Sequence, residues 1–227
     1  MHHNREHPLK GGSVAIKGGK QQSATAAKPE ASGTLKDRVG ADVGVLFVGI
    51  NPGVRSAAIG HHFAGYSNRF WKLLYESALV PEPIRAEDDA RLTEWGYGIT
   101  NLIPRMTPGI DTLRPIEYEA GLGVLRRKVR RWQPRVVVFL GVTLFRVVFA
   151  FPAGRTVRLG QQRRHTFEGA AVFVLPNPSG RNANYSYAQM LEAYRDLRRR
   201  VVDRRAVGRK AAKRAGRSRL ARHDADT

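Results

Sequence analysis

The five residues Gly49-Ile50-Asn51-Pro52-Gly53 join a neutral amide to a backbone suited to close approach. Pro52 restricts Asn51 to extended geometry. Gly49 and Gly53 carry no Cβ and let the main chain come near a bound molecule. The Asn51 amide both donates and accepts, so it can orient a water without being ionised. A neutral amide is a poor general base, so chemistry built on it relies on a stable leaving group. Taken alone, the segment reads equally well as an Asn-Pro-Gly turn.

Other residues offer chemistry at lower specificity. Pro176-Asn177-Pro178-Ser179-Gly180 is a second polar loop of unusual composition. Glu87, Asp88, Asp89 and Glu94 cluster before Tyr97. They read as the solvated first turn and face of a helix, favoured by its dipole, rather than as a general base. The adjacent pair His61-His62 lacks carboxylates at ligand spacing, so no metal site is expected. Phe70 and Trp71 read as core. Asn101 is the side chain of the Gly98–Asn101 segment best placed to reach a pocket rim, with core packing or loop capping as an equal alternative.

Elements must hold these loops. The continuous apolar runs at residues 45–50, 136–140 and 172–175 predict buried parallel strands. Tyr97 to Leu102 is a further candidate strand, and short strands are expected at Thr156–Leu159 and Thr166–Phe167. Residues 67–79 place Phe70, Leu73, Leu74 and Ala78 on one helical face. Helices are also expected over Glu87–Trp95, Pro115–Trp132, Val142–Phe149 and Tyr187–Val202. Alternating strands and helices predict an α/β fold: one three-layer domain with a central, mainly parallel sheet flanked by helices. In such sheets ligands bind beyond the carboxyl ends of the strands, where both unusual loops lie.

Several ordered segments then point to a family. Phe47 to Gly53, Gly60-His61-His62-Phe63 and Ser67 to Lys72 closely resemble the mismatch-specific uracil/thymine-DNA glycosylases. Tyr97 to Leu102 and Leu175 to Gly180 match further segments in the same order. The resemblance spans roughly residues 43–200 and implies the uracil-DNA glycosylase fold. It also implies roles. Asn51 falls where the family positions the hydrolytic water. Ile50 lines the base pocket, Phe63 stacks on the base, and Asn68 belongs to the pocket wall. Asn177 and Ser179 match the loop that grips phosphates flanking the lesion. Gly180 and Arg181 begin the segment that wedges into the duplex; the wedge position is leucine in some relatives. Ser56 and His62 lie at variable positions that tune which base is accepted. The implied activity is hydrolytic release of uracil, with thymine or modified pyrimidines as further substrates, from G·U or G·T mismatches in double-stranded DNA. The implied enzyme is a monofunctional glycosylase, monomeric and without a cofactor. A non-catalytic damaged-DNA-binding module on the same fold is the alternative, but it would be expected to have lost Asn51 or Phe63.

Composition agrees with a polyanionic partner. Among the 227 residues, 39 Lys and Arg stand against 19 acids, a net charge of +20. Residues 1–40 hold seven Lys/Arg and three acids, and residues 201–227 hold nine and three, so +10 remains on the body. Residues 1–40 read as a disordered basic arm, 41–203 as the glycosylase domain and 204–227 as a disordered basic tail. With no cysteine, disulfides, cysteine-ligated zinc and iron–sulfur clusters are excluded. No apolar run approaches the ~18 residues of a membrane span, and no secretory signal is evident at Met1 to Lys10. A cytoplasmic location is expected, nucleoid-associated if the source is bacterial.

Overall fold

The computed structural model describes residues 34–201; residues 1–33 of the arm expected over 1–40, and the tail expected over 204–227, lie outside the described residues. A five-stranded sheet has the order β2-β1-β3-β5-β4. Its strands are β1 (Val45–Gly49), β2 (Tyr97–Asn101), β3 (Val136–Leu140), β4 (Gly160–Phe167) and β5 (Ala170–Leu175). The first three ladders, β1 to β2, β1 to β3 and β3 to β5, are parallel. Only β4 is antiparallel, against β5. The expected α/β class with a mainly parallel sheet is therefore observed.

The apolar runs are continuous because both sheet faces are covered. Val45, Phe47, Val138 and Phe173 pack into one layer with Leu73 and Leu74 of α2 (Phe70–Glu76) and with Tyr194 and Leu197 of the last helix, α5 (187–201). Leu46, Val48, Phe139 and Val174 pack into the other with Leu125 and Val129 of α3 (Pro115–Trp132) and Leu144 and Phe145 of α4 (Val142–Val148). Phe47, Phe139 and Val174 are fully buried. Truncating such a phenylalanine costs about 3–5 kcal/mol through lost transfer energy and the cavity left behind. Helix α3 matches its expected bounds. Pro115 opens it, the Glu117 carboxylate accepts the Arg114 backbone N–H at 2.9 Å, and Arg130 and Arg131 close it.

The helix expected over Glu87–Trp95 is present over Ala86–Trp95 as a 3-10 helix, kinked at Asp88. Two other elements differ from expectation. Thr156–Leu159 is not a strand; a single strand runs over Gly160–Phe167 with a register irregularity between Gln161 and Thr166. Its exposed Arg163 and Arg164 hide the apolar alternation and suit a sheet edge, where charge discourages pairing with other chains. A short helix, α1 (Val54–Ile59), follows the Asn-Pro-Gly loop and was not expected. Residues 34–40, grouped with the arm by composition, lie against the domain. Arg38 exchanges both main-chain hydrogen bonds with Ile99 of β2, at 3.0 and 2.8 Å. A strap this short carries too little apolar periodicity to be recognised from sequence.

Candidate active site

At the carboxyl ends of β1, β2, β3 and β5 lies a cavity of about 620 Å³. All the residues singled out from the sequence line it: Ile50, Asn51, Ser56, His62, Phe63, Asn68, Asn101, Asn177, Ser179, Gly180 and Arg181. Pairing of β1 with β2 continues into the loops. The N–H groups of Leu102 and Ile103 donate to the carbonyls of Gly49 and Ile50, and the Thr107 N–H donates to Pro52. The loop bearing Asn51 is thus laid against residues 102–107.

Three acceptors hold the Asn51 amide. Nδ2 donates to Thr107 Oγ1 at 2.7 Å, to the Pro52 carbonyl at 3.2 Å and, more weakly, to the Arg105 carbonyl at 3.4 Å. Carbonyl oxygens only accept, so Nδ2 must be the atom facing them and the amide orientation is fixed. Oδ1 takes no hydrogen bond from the described residues. Thr107 is 3% exposed and passes its own hydroxyl proton to the Gly109 carbonyl at 2.5 Å. Arg105 is anchored by both oxygens of Glu117, at 2.7 and 3.0 Å. That guanidinium, with the Arg114 N–H, holds the Glu117 carboxyl down at about 2. The first turn of α3 therefore braces the loop that orients Asn51.

The opposite wall is built around Phe63. Its φ of 53° is unusual for a residue with a side chain and marks local strain at the pocket. Its ring sits 4.3 Å from that of Phe70, centroid to centroid. A Cβ at Gly49 would lie 3.4 Å from the Phe63 ring and 2.6 Å from Asn101 Oδ1, so only glycine leaves the floor open. Ser56 Oγ accepts the Ala64 N–H at 3.0 Å and ties α1 to this segment. Asn68 Oδ1 accepts the Phe70 N–H at 3.0 Å, which leaves its Nδ2 as the donor at the wall. Phe70 and Trp71 are buried in the core, as expected.

His62 is 1% exposed. Burial lowers its pKa below the ordinary 6.5, against the raising effects of the Lys36 carbonyl, Asp89 and Asp37. Nε2 contacts the Lys36 carbonyl at 3.0 Å, and Nδ1 lies 3.5 Å from Asn101 Nδ2. One member of the acidic cluster departs from the expected solvated face. Asp89 is fully buried, accepts from Arg38 Nε at 2.8 Å and from the His62 backbone N–H at 3.0 Å, and lies 3.2 Å from His61 Nδ1. Its isolation from Glu87, Asp88 and Glu94 follows from the tight 3-10 turns, which aim it inward while Glu94 pairs with Arg91. Among the described residues no group of three or more His, Cys, Asp or Glu is placed to hold a metal.

The 177–182 loop is held by its own side chains. Asn177 Oδ1 accepts the Ser179 N–H at 3.0 Å, and Asn182 Nδ2 donates to the Asn177 carbonyl at 2.8 Å. The Arg69 N–H donates to the Pro178 carbonyl at 2.9 Å. A Cβ on Gly180 would fall 2.3 Å from Ser67 Oγ and 2.7 Å from its carbonyl, so this glycine lets the two loops touch. Arg181 reaches across to the Pro108 carbonyl at 2.6 Å. Sequence reasoning missed Thr107, Leu35 and Asp111, which also line the cavity or orient its residues. Thr107 lies in Met-Thr-Pro-Gly, whose only sequence signal is a turn.

No helix among the described residues is long and apolar enough to cross a membrane. Residues 37–198 match the family model of the uracil DNA glycosylase superfamily, whose members are DNA glycosylases. With that match spanning the sheet, its helices and both loops of the cavity, the chain belongs to the uracil DNA glycosylase superfamily.

Proposed function

We propose that the protein is a mismatch-specific DNA glycosylase. It extrudes uracil, and more slowly thymine, from G·U and G·T mismatches in double-stranded DNA, acts as a monomer and leaves an abasic site. The single observation that carries this reading is the clamped Asn51 amide at the cavity, with Nδ2 held by three acceptors and Oδ1 taking no hydrogen bond from the described residues. Extrusion costs a few kcal/mol, less at a mismatch. Phosphate contacts from the Asn177 and Ser179 loop and insertion of Gly180 and Arg181 offset the rest. The base then stacks on Phe63 among Ile50, Ser56, His62, Asn68 and Asn101. Bond cleavage places positive charge on the sugar and negative charge on the base. Backbone N–H groups near Ile50 and Phe63 stabilise that anion; the water on Asn51 Oδ1 adds to the sugar carbon, and the proton it loses is balanced, through solvent, by protonation of the departing base. Because the amide is not a strong base, turnover follows leaving-group stability and uracil departs faster than thymine. The retained and fixed Asn51 favours an enzyme over a non-catalytic damage-binding module on the same fold.

A panel of duplexes tests the specificity. G·U, A·U and G·T duplexes and single-stranded uracil are incubated with excess protein, and abasic sites are revealed by alkali. G·U is expected to react fastest, with G·T slower and A·U and single strands slower than G·U. Equal rates on G·U, A·U and single strands would remove the mismatch assignment while leaving glycosylase activity intact.

A further inference from the structure

The strap of residues 34–39 runs along the outer edge of β2 and ends in the cavity. Leu35 lines the cavity, and the Lys36 carbonyl meets His62 Nε2 at 3.0 Å. A carbonyl only accepts, so Nε2 carries the ring proton and the neutral ring offers Nδ1 as an acceptor. Asn101 Nδ2, 3.5 Å away, is the donor to it. The Asn101 amide is thereby turned with Oδ1 toward Gly49, 2.6 Å from where a Cβ would stand. The relay fixes one feature of the cavity: Asn101 turns an acceptor, not a donor, toward Gly49 in the lining.

The strap is fastened on both sides. Asp37 accepts from Lys128 Nζ at 2.9 Å and from the Thr100 hydroxyl at 2.6 Å. Arg38 Nε reaches the buried Asp89 at 2.8 Å, and the other Asp89 oxygen takes the His62 N–H. Gly98 provides the surface on which the strap lies. A Cβ there would stand 3.1 Å from Val39 Cγ2 and 3.2 Å from the Arg38 carbonyl.

We propose that this strap is a positioning element for base selection. Through Lys36 and His62 it sets the Asn101 amide to accept a ring N–H, which selects an imide base such as uracil over a base with a bare ring nitrogen there. This rests on the reading that the cavity receives an extruded base. The test uses the full chain carrying Asp37→Ala with Arg38→Ala, and separately Gly98→Val. Nitrogen NMR of the histidine rings at neutral pH reports the His62 proton, and single-turnover rates compare 5-fluorouracil with 5-fluorocytosine, each opposite guanine. The native chain is expected to show His62 protonated at Nε2. Both strap variants are expected to share the proton between the two nitrogens, slow uracil release roughly 10- to 100-fold and narrow the preference for 5-fluorouracil by about tenfold. Gly98→Ala, which only crowds the strap, keeps the test open if the larger changes unfold the chain. Folded variants with the native ring state and the native preference would overturn the proposal. A chain that releases no base, but whose His62 ring state follows the strap, upholds the coupling and removes the glycosylase reading instead.

Discussion

Replacing Thr107 by valine keeps its volume and removes the hydroxyl that grips Asn51. Two hydrogen bonds disappear with it, the 2.7 Å bond from Asn51 Nδ2 and the bond to the Gly109 carbonyl. Each contributes about 0.5–1.5 kcal/mol, so stability is expected to fall by about 1–3 kcal/mol in urea or thermal unfolding. The remaining holds on Nδ2, at 3.2 and 3.4 Å, are long and poorly able to fix the amide. A displacement of about 1 Å at a reacting group costs up to about 100-fold in rate, or some 2.7 kcal/mol. Single-turnover release of uracil from a G·U duplex is therefore expected to slow roughly 10- to 100-fold. DNA affinity, measured by anisotropy, is expected to stay within a few-fold, because Thr107 is buried behind Asn51. Thr107→Ser retains the hydroxyl and is expected to keep most of the rate. A folded Thr107→Val protein that releases uracil at the native rate would show that Asn51 does not depend on this clamp.

Gly180→Ala places a Cβ against Ser67, at 2.3 Å from its hydroxyl, and is expected to part the two loops; weaker binding to abasic and G·U duplexes is the measurement, and unchanged affinity would separate this contact from DNA binding. His62 is neutral when buried and its pKa lies below 6.5, so the unfolded chain binds its proton first. Stability is expected to fall as pH drops below that ordinary value and to be fully present above it; a His62→Gln variant should lose this component of the urea midpoint's pH dependence. Residues 1–33 carry five Lys/Arg and residues 202–227 carry nine, so deleting both segments is expected to flatten the salt dependence of DNA binding; an identical slope would make them bystanders.

Strands β1, β3 and β5 were legible because each is short, apolar throughout and followed by a loop of distinctive composition. Val136–Leu140 and the Asn51 loop are of this kind, and helix α3 announced itself through Pro115 and its amphipathic period. The edge strand Gly160–Phe167 was not, since Arg163 and Arg164 face outward and interrupt the pattern. The site residues were legible as types in order along the chain, but not their mutual hold. Nothing local to Thr107 signals a partner 56 positions away. Asp89 looked like its acidic neighbours until the strap and the 61–62 segment closed over it. Residues 34–40 were grouped with the arm because composition weighs a segment by its average, whereas Asp37 and Arg38 act through individual long-range pairs. Local chemistry was readable; contacts set by tertiary closure were not.

The most direct test compares the native chain with Asn51→Ala on one G·U duplex, following alkali-sensitive abasic sites under single-turnover conditions. Complete conversion by the native protein is expected, with no detectable release by Asn51→Ala and duplex binding within a few-fold of native. Absence of abasic product from well-folded native protein, or native-rate release by Asn51→Ala, would contradict it.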